Sequence, residues 1–119
     1  DSDLILLALS GSRWISIAKE MGLKVAREVF ADRAINSDGT LVSRSIDGSV
    51  IHDPDVIAER TLKMVKQGYI TSVTGEDVAV DADSICMHGD NPEAVQIAKE
   101  VKAALETAGI NIVPLSKLV

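Results

Sequence analysis

Leu4–Leu9 is an unbroken run of six aliphatic residues that stops at Ser10-Gly11-Ser12, and it narrows the folds open to this chain more than any other feature. A strand with no polar residue at alternate positions has no face to offer water, which is the pattern of a parallel strand covered on both sides. Parallel strands need a crossover connection, usually a helix. The following residues supply one: Ser12 caps a helix to about Met21 in which Trp14, Ile17, Ala18 and Met21 recur at helical spacing, and Gly22 stops it. Lys24–Phe30 then resumes as strand, closing one β-α-β unit with strands about twenty residues apart. The aliphatic run is far short of the roughly 20 residues a membrane-spanning helix needs. Asp1 and Asp3 precede it, where a secretion signal carries a basic flank.

Ala31–Val50 breaks the pattern with turn chemistry at Asp32-Arg33, Asn36-Ser37-Asp38-Gly39 and Asp47-Gly48, and Leu41-Val42 is its main apolar pair. A polar loop of this length is expected, and long ordered loops are commonly functional. Asp53-Pro54 opens a second helix to about Gln67, with Ala58, Leu62 and Val65 on one face and Gly68 as its stop. Tyr69–Thr74 and Val78–Val80 around Gly75-Glu76-Asp77 read as a hairpin, either a small flap over a site or an inert insertion. Ser84–Met87 is the third core strand. A helix from Pro92 to Ala108 carries Ala94, Ala98, Val101, Leu105 and Ala108 along its core side, Gly109 ends it, and Ile110–Pro114 is expected as a last strand. The predicted class is α/β, mostly parallel, with a small hairpin excursion, in a single domain over residues 1–119.

Composition removes several functions. Among 119 residues there are one Phe, one Tyr and one Trp, so the core is aliphatic and no aromatic stacking platform is expected. The net charge of −6 leaves no basic stripe for a phosphate backbone, which argues against nucleic acid. One cysteine, Cys86, rules out an intramolecular disulfide and multi-cysteine zinc motifs and suits a reducing compartment, with cytoplasm as the expected location. Neither a Walker lysine loop nor a G-x-G-x-x-G turn is present.

The chemistry concentrates where the third strand stops at His88-Gly89-Asp90-Asn91-Pro92. Carboxyl ends of parallel strands are where ligands sit in α/β folds, so an imidazole, a carboxylate and an amide there mark a candidate site. Asn91 and Pro92 also suit a helix cap and first turn, with Asn91 as N-cap; that role does not account for His88. In the earlier loop Arg33 and Arg44 offer planar forks for a carboxylate or phosphate, and Asp32 and His52 stand close to strand and helix ends. Solvated surface charge is the competing reading for each of these taken singly.

Four segments in order, Glu28-Val-Phe-Ala-Asp-Arg33, Gly39-Thr-Leu-Val-Ser-Arg44, Val50-Ile-His-Asp-Pro54 and Ile85-Cys-Met-His-Gly-Asp-Asn-Pro92, resemble the 5-oxoprolinase A-subunit family, also called the LamB/YcsF lactam-utilisation family. Ala103–Ile110 fits it as well, whereas Ile35, Ser49 and Glu93 depart from its usual residues. The resemblance implies a partial β/α barrel of the glycoside hydrolase/deacetylase type, the C-terminal half of a larger one. It implies ATP-dependent hydrolysis of the 5-oxoproline lactam to L-glutamate together with partner subunits B and C, with ATP held by this chain or by a partner. Within it, His88, Asp90 and Asp32 are the expected catalytic residues, and Arg33, Arg44, Asn91 and His52 the expected substrate-binding ones. A divalent metal shared by Asp32, His88 and Asp90 ranks lower, because their spacing matches no metal motif. Two alternatives remain: a metal-dependent amide or sugar deacetylase, and a noncatalytic half-barrel that pairs as a homo-oligomer.

Overall fold

Ile5–Leu9 (β1) and Lys24–Phe30 (β2) pair in parallel from Ile5 opposite Lys24 to Leu9 opposite Glu28, in a computed structural model that describes residues 1–119. Arg13–Glu20 (α1) makes the crossover, and Gly22 beyond its end adopts φ +76°, the left-handed conformation that glycine reaches without a Cβ clash. Pro54–Gln67 (α2) begins on Asp53, whose carboxylate accepts the Asp55 N–H, and ends at Gly68 with φ +73°. Tyr69–Thr71 (β3) and Asp77–Ala79 (β4) form the expected antiparallel hairpin. Ser84–Cys86 (β5) joins the other side of β2 in parallel, giving a three-stranded sheet of order β1-β2-β5. Ala94–Thr107 (α3) and a short 3-10 turn at Leu115–Lys117 complete the chain.

The core has two centres, both built on α2. Ile57 meets Ala31, Ile97, Val101 and Leu105 on the side facing α3, while Met64 meets Val29, Ile35 and Ile70 on the side facing the hairpin. Full burial of an isoleucine such as Ile57 or Ile97 stabilises the fold by about 1.5–3 kcal/mol.

Several expectations are corrected. Leu4–Leu9 is not covered on both sides: β1 is an edge strand and Leu7 is 46% exposed. On α1 the buried residues are Ile15 and Ala18, whereas Trp14, Ile17 and Met21 face outward; the helix is apolar on both flanks, so periodicity alone does not choose the face that meets the sheet. On α2 the fully buried side is Ile57, Thr61 and Met64, with Leu62 and Val65 flanking it. The last helix starts at Ala94 with Glu93 as its N-cap, because Asn91 and Pro92 belong to a turn in which the Asn91 carbonyl accepts the Ala94 N–H. Ile110–Pro114 forms no strand: beyond Ile110, which donates to the Leu105 carbonyl, it makes no ladder contacts.

The segment after β2 is also not a solvated loop. Ala31–Ile35 is buried, and bridges from Arg33 to Val50 and from Ile35 to Leu41 fold the remainder back over it. The hairpin closes the Val29–Met64 core centre and contributes no residue to the polar cavity described next.

Candidate functional site

Because β2 and β5 are parallel neighbours with Phe30 opposite Cys86, the chain leaves the two strands side by side, and two residues further on lie Asp32 and His88. Their side chains meet: His88 Nδ1 is 2.8 Å from Asp32 Oδ1. Asp32 is 1% exposed, and its second oxygen is buried without a partner. A carboxylate only accepts, so in the neutral imidazole beside it Nδ1 carries the proton and Nε2 the lone pair. The imidazole lies parallel to the Phe30 ring at 9° with centroids 5.6 Å apart, a stack that fixes its plane. Cys86 Sγ stands 3.9 Å from Nε2. Burial, and then the charges of Glu28 and Asp32, push that thiol up, so it stays protonated and suits a weak donor rather than a nucleophile.

A polar cavity of about 180 Å³ opens beside this pair, lined by Asp32, Arg33, Arg44, Val50, His52, His88, Asp90 and Asn91. All seven residues singled out in the sequence therefore border one space, below the roughly 300–1,000 Å³ that drug-sized ligands occupy. They differ in how they hold it. Arg33 is buried, donates Nη2 to the Val42 carbonyl at 2.7 Å, and keeps Nε buried without a partner. Arg44 lies on the open rim, 3.6 Å from Asp90. Asp90 thus turns to Arg44 rather than to the inner pair, and no three His, Cys, Asp or Glu side chains converge as a metal donor set. Asn91 is buried and commits its amide internally: Nδ2 donates to the Ile51 carbonyl at 3.2 Å, while Oδ1 accepts from Glu93 N and His52 Nδ1 at 3.2 and 3.1 Å. It ties the two rims together. Glu93 comes within 3.7 Å of His52 and adds a carboxylate to the rim.

One participant was not singled out in the sequence. Arg60 extends from α2 over the end of β2 and donates to the carbonyls of Ala31 and Phe30 and, at 2.9 Å, of Arg33. Burial pulls its guanidinium down to about 10, against the opposing pull of the Asp32 charge, so it remains a cation at neutral pH. The signal was present in the chain: Arg60 stands three residues after Ile57 and four before Met64, on the apolar side of the helix, where an unpaired charge is costly.

The profile of the LamB/YcsF family matches residues 1–119. The 5-oxoprolinase A subunit of Thermococcus onnurineus is 55% identical over 119 residues, covering 100% of this chain and 47% of that protein. The protein of the same name in Clostridium beijerinckii is 50% identical over 116 residues, 98% of this chain and 46% of that one. The crystal structure of a lactam utilization protein from Thermus thermophilus superposes with a TM-score of 0.86 at 40% identity, covering 94% of this chain and 44% of that one. The chain spans about half the length of the relatives it matches.

Proposed function

The chain belongs to the LamB/YcsF family, and from that premise we propose that it supplies one wall of the active site of a cytoplasmic, ATP-coupled 5-oxoprolinase that opens the lactam of 5-oxoproline to L-glutamate. Residues 1–119 act in this reading as one folding unit, the C-terminal half of a β/α barrel. The relatives' length and the open sheet edges at β1 and β5 support that assignment. The names of those relatives make each of them one subunit of an enzyme, which supports work alongside partners, taken here to be subunits B and C.

The observation that carries the reading is the buried Asp32–His88 pair facing a cavity that also holds Arg33 and Arg44. An unstrained lactam is a stable amide, so its opening needs an activated carbonyl and a proton carrier. ATP supplies the activation by phosphorylating the amide oxygen. No glycine-rich phosphate loop with a lysine occurs in residues 1–119 and the polar cavity is small, which supports ATP being held outside that cavity, in the rest of the full-length protein or on a partner subunit. Asp32 holds the Nδ1–H of His88, which leaves Nε2 to take a proton from the attacking water. The same imidazole returns it to the ring nitrogen as the C–N bond breaks, which leaves an acyl phosphate at the freed carboxyl, and a second water hydrolyses that to L-glutamate and inorganic phosphate. Arg44, on the rim, offers its fork to the substrate carboxylate, and Arg33 adds its positive charge from the cavity wall.

The test is glutamate release by the full-length protein mixed with its two partners. Release is expected to require ATP, 5-oxoproline and all three proteins. Release without ATP, or hydrolysis of an acetylated amide that a chelator stops, would replace this reading with a metal-dependent hydrolase.

A further inference from the structure

Arg60 is held by α2, outside every segment that borders the polar cavity, and yet it touches the backbone on both sides of Asp32. The carbonyls at the end of β2 have no sheet partner left. The Asp32 carbonyl accepts the Ile51 N–H at 2.8 Å, and those of Ala31 and Arg33 are closed by the two ends of one guanidinium. A buried carbonyl left open loses its hydration with nothing in return, so a planar fork is the economical closure for two of them at once.

The charge of that fork matters separately from its donors. Asp32 has one oxygen bonded to His88 and the other buried with no hydrogen bond. A carboxylate so enclosed stays ionised only where cations stand near it. The groups that face it are His88 and Cys86 from the β5 side, Arg60 from α2 and Arg33 from its own segment. Cys86 is neutral, and His88 is the group whose proton must move. Arg33 directs Nη2 to the Val42 carbonyl. Arg60, clamped to the carbonyls on either side of Asp32, is with Arg33 a buried fixed cation beside that carboxylate.

We infer that Arg60 is a positioning residue for the Asp32–His88 pair: it locks the backbone turn that carries Asp32 and supplies the positive charge that keeps this carboxylate an acceptor for the imidazole. The inference rests on the proton-carrying role of His88 given above, and it has a readout independent of lactam chemistry. When Nδ1–H is held by an ionised carboxylate, its proton resonates far downfield and exchanges slowly. The signal is assigned by its loss in His88→Ala.

Two variants of the full-length protein separate charge from donors. Arg60→Gln keeps amide donors and removes the cation; Arg60→Lys keeps the cation with a different donor geometry. The downfield proton is expected in the parent and in Arg60→Lys and absent in Arg60→Gln. In the ATP-dependent assay with both partners, Arg60→Gln is expected to lower kcat at least tenfold with KM changed less than threefold. Its acid limb should move to higher pH, since loss of a cation favours the protonated pair, and Arg60→Lys should leave that limb in place. The proposal is overturned if Arg60→Gln retains the downfield proton, or if Arg60→Lys loses it. Equal damage by both substitutions with an unmoved acid limb would reduce Arg60 to a backbone clamp and overturn it too. Should Arg60→Gln fail to fold, loss of the downfield proton in Arg60→Lys still overturns the proposal. Absence of lactam hydrolysis in the parent, with the proton behaving as expected, would sink the functional reading and leave this one standing.

Discussion

Asp32 is the residue on which the site turns, because one of its oxygens is bare and the other has His88 as its sole hydrogen-bond partner. Asp32→Asn preserves volume but offers Nδ1 an amide that can donate as well as accept, so the imidazole loses its enforced tautomer. Turnover of the full-length protein with its partners is expected to fall about 10²–10⁴-fold, the range for losing general acid–base help, with little change in KM. His88→Ala should end turnover and also destabilise, by about 1–3 kcal/mol, since it strands both Asp32 oxygens away from donors. Denaturant melts of the two variants check this: wild-type stability in His88→Ala would mean that the buried carboxylate does not depend on its partner. That these residues gather around one cavity was legible in advance. His88 and Asp32 follow strand ends and the two arginines lie in the polar segment after β2, where sequence reading looks for a site, although Ala31–Ile35 itself is buried. Arg60 was missed because charged residues on a helix read as solvated, and only the apolar neighbours on its own face mark it as buried. Asn91 was read as a cap because its side chain suits one, whereas its amide ties the Ile51–His52 rim to the turn before α3.

At the scale of elements, β2 is held to β5 by more than its ladder. Arg27 donates from Nε and Nη2 to Asp83 at 2.7 and 2.9 Å, and the Arg27 N–H reaches the same carboxylate at 2.9 Å. The hydrogen bond from Arg27 holds the Asp83 carboxyl below its ordinary 3.8 against the cost of burial. A depressed folded value means that this contribution is present above the unfolded value near 3.8 and is lost as pH falls through the folded one. Asp83→Asn should therefore cost about 1 kcal/mol at pH 7, discounted for the partial exposure of Arg27. The deficit should shrink below about pH 4 in denaturant melts taken across the acid range. A deficit constant with pH would show that packing, not charge, joins these strands. Ile57→Ala, which empties the contact between α2 and α3, is expected to cost about 2–5 kcal/mol in the same measurement. Helix ends were readable from Asp53, Gly22 and Gly68, which satisfy caps locally. Helix faces and the fate of Ile110–Pro114 were not, because both depend on which neighbour is present.

On the scale of the whole molecule, β1 is a sheet edge, and Leu7 on it and Trp14, Ile17 and Met21 on and just beyond α1 are exposed, surface that the half-barrel reading proposed above would cover. Trp14 is the sole tryptophan and 69% exposed, so this chain should emit at a solvent-like wavelength. Supplying the complementary half without tryptophan is expected to shift the emission to the blue. Unchanged emission would leave that flank of α1 outside the seam. The pairing of Phe30 with Cys86 carries one more consequence. A slip of β5 by a single position would bring Met87 or Gly89 opposite Asp32 and swing the imidazole to the far side of the pleat. Correct indexing of two short strands thus decides whether the Asp32–His88 contact forms at all, and a mispaired but compact chain would lack it.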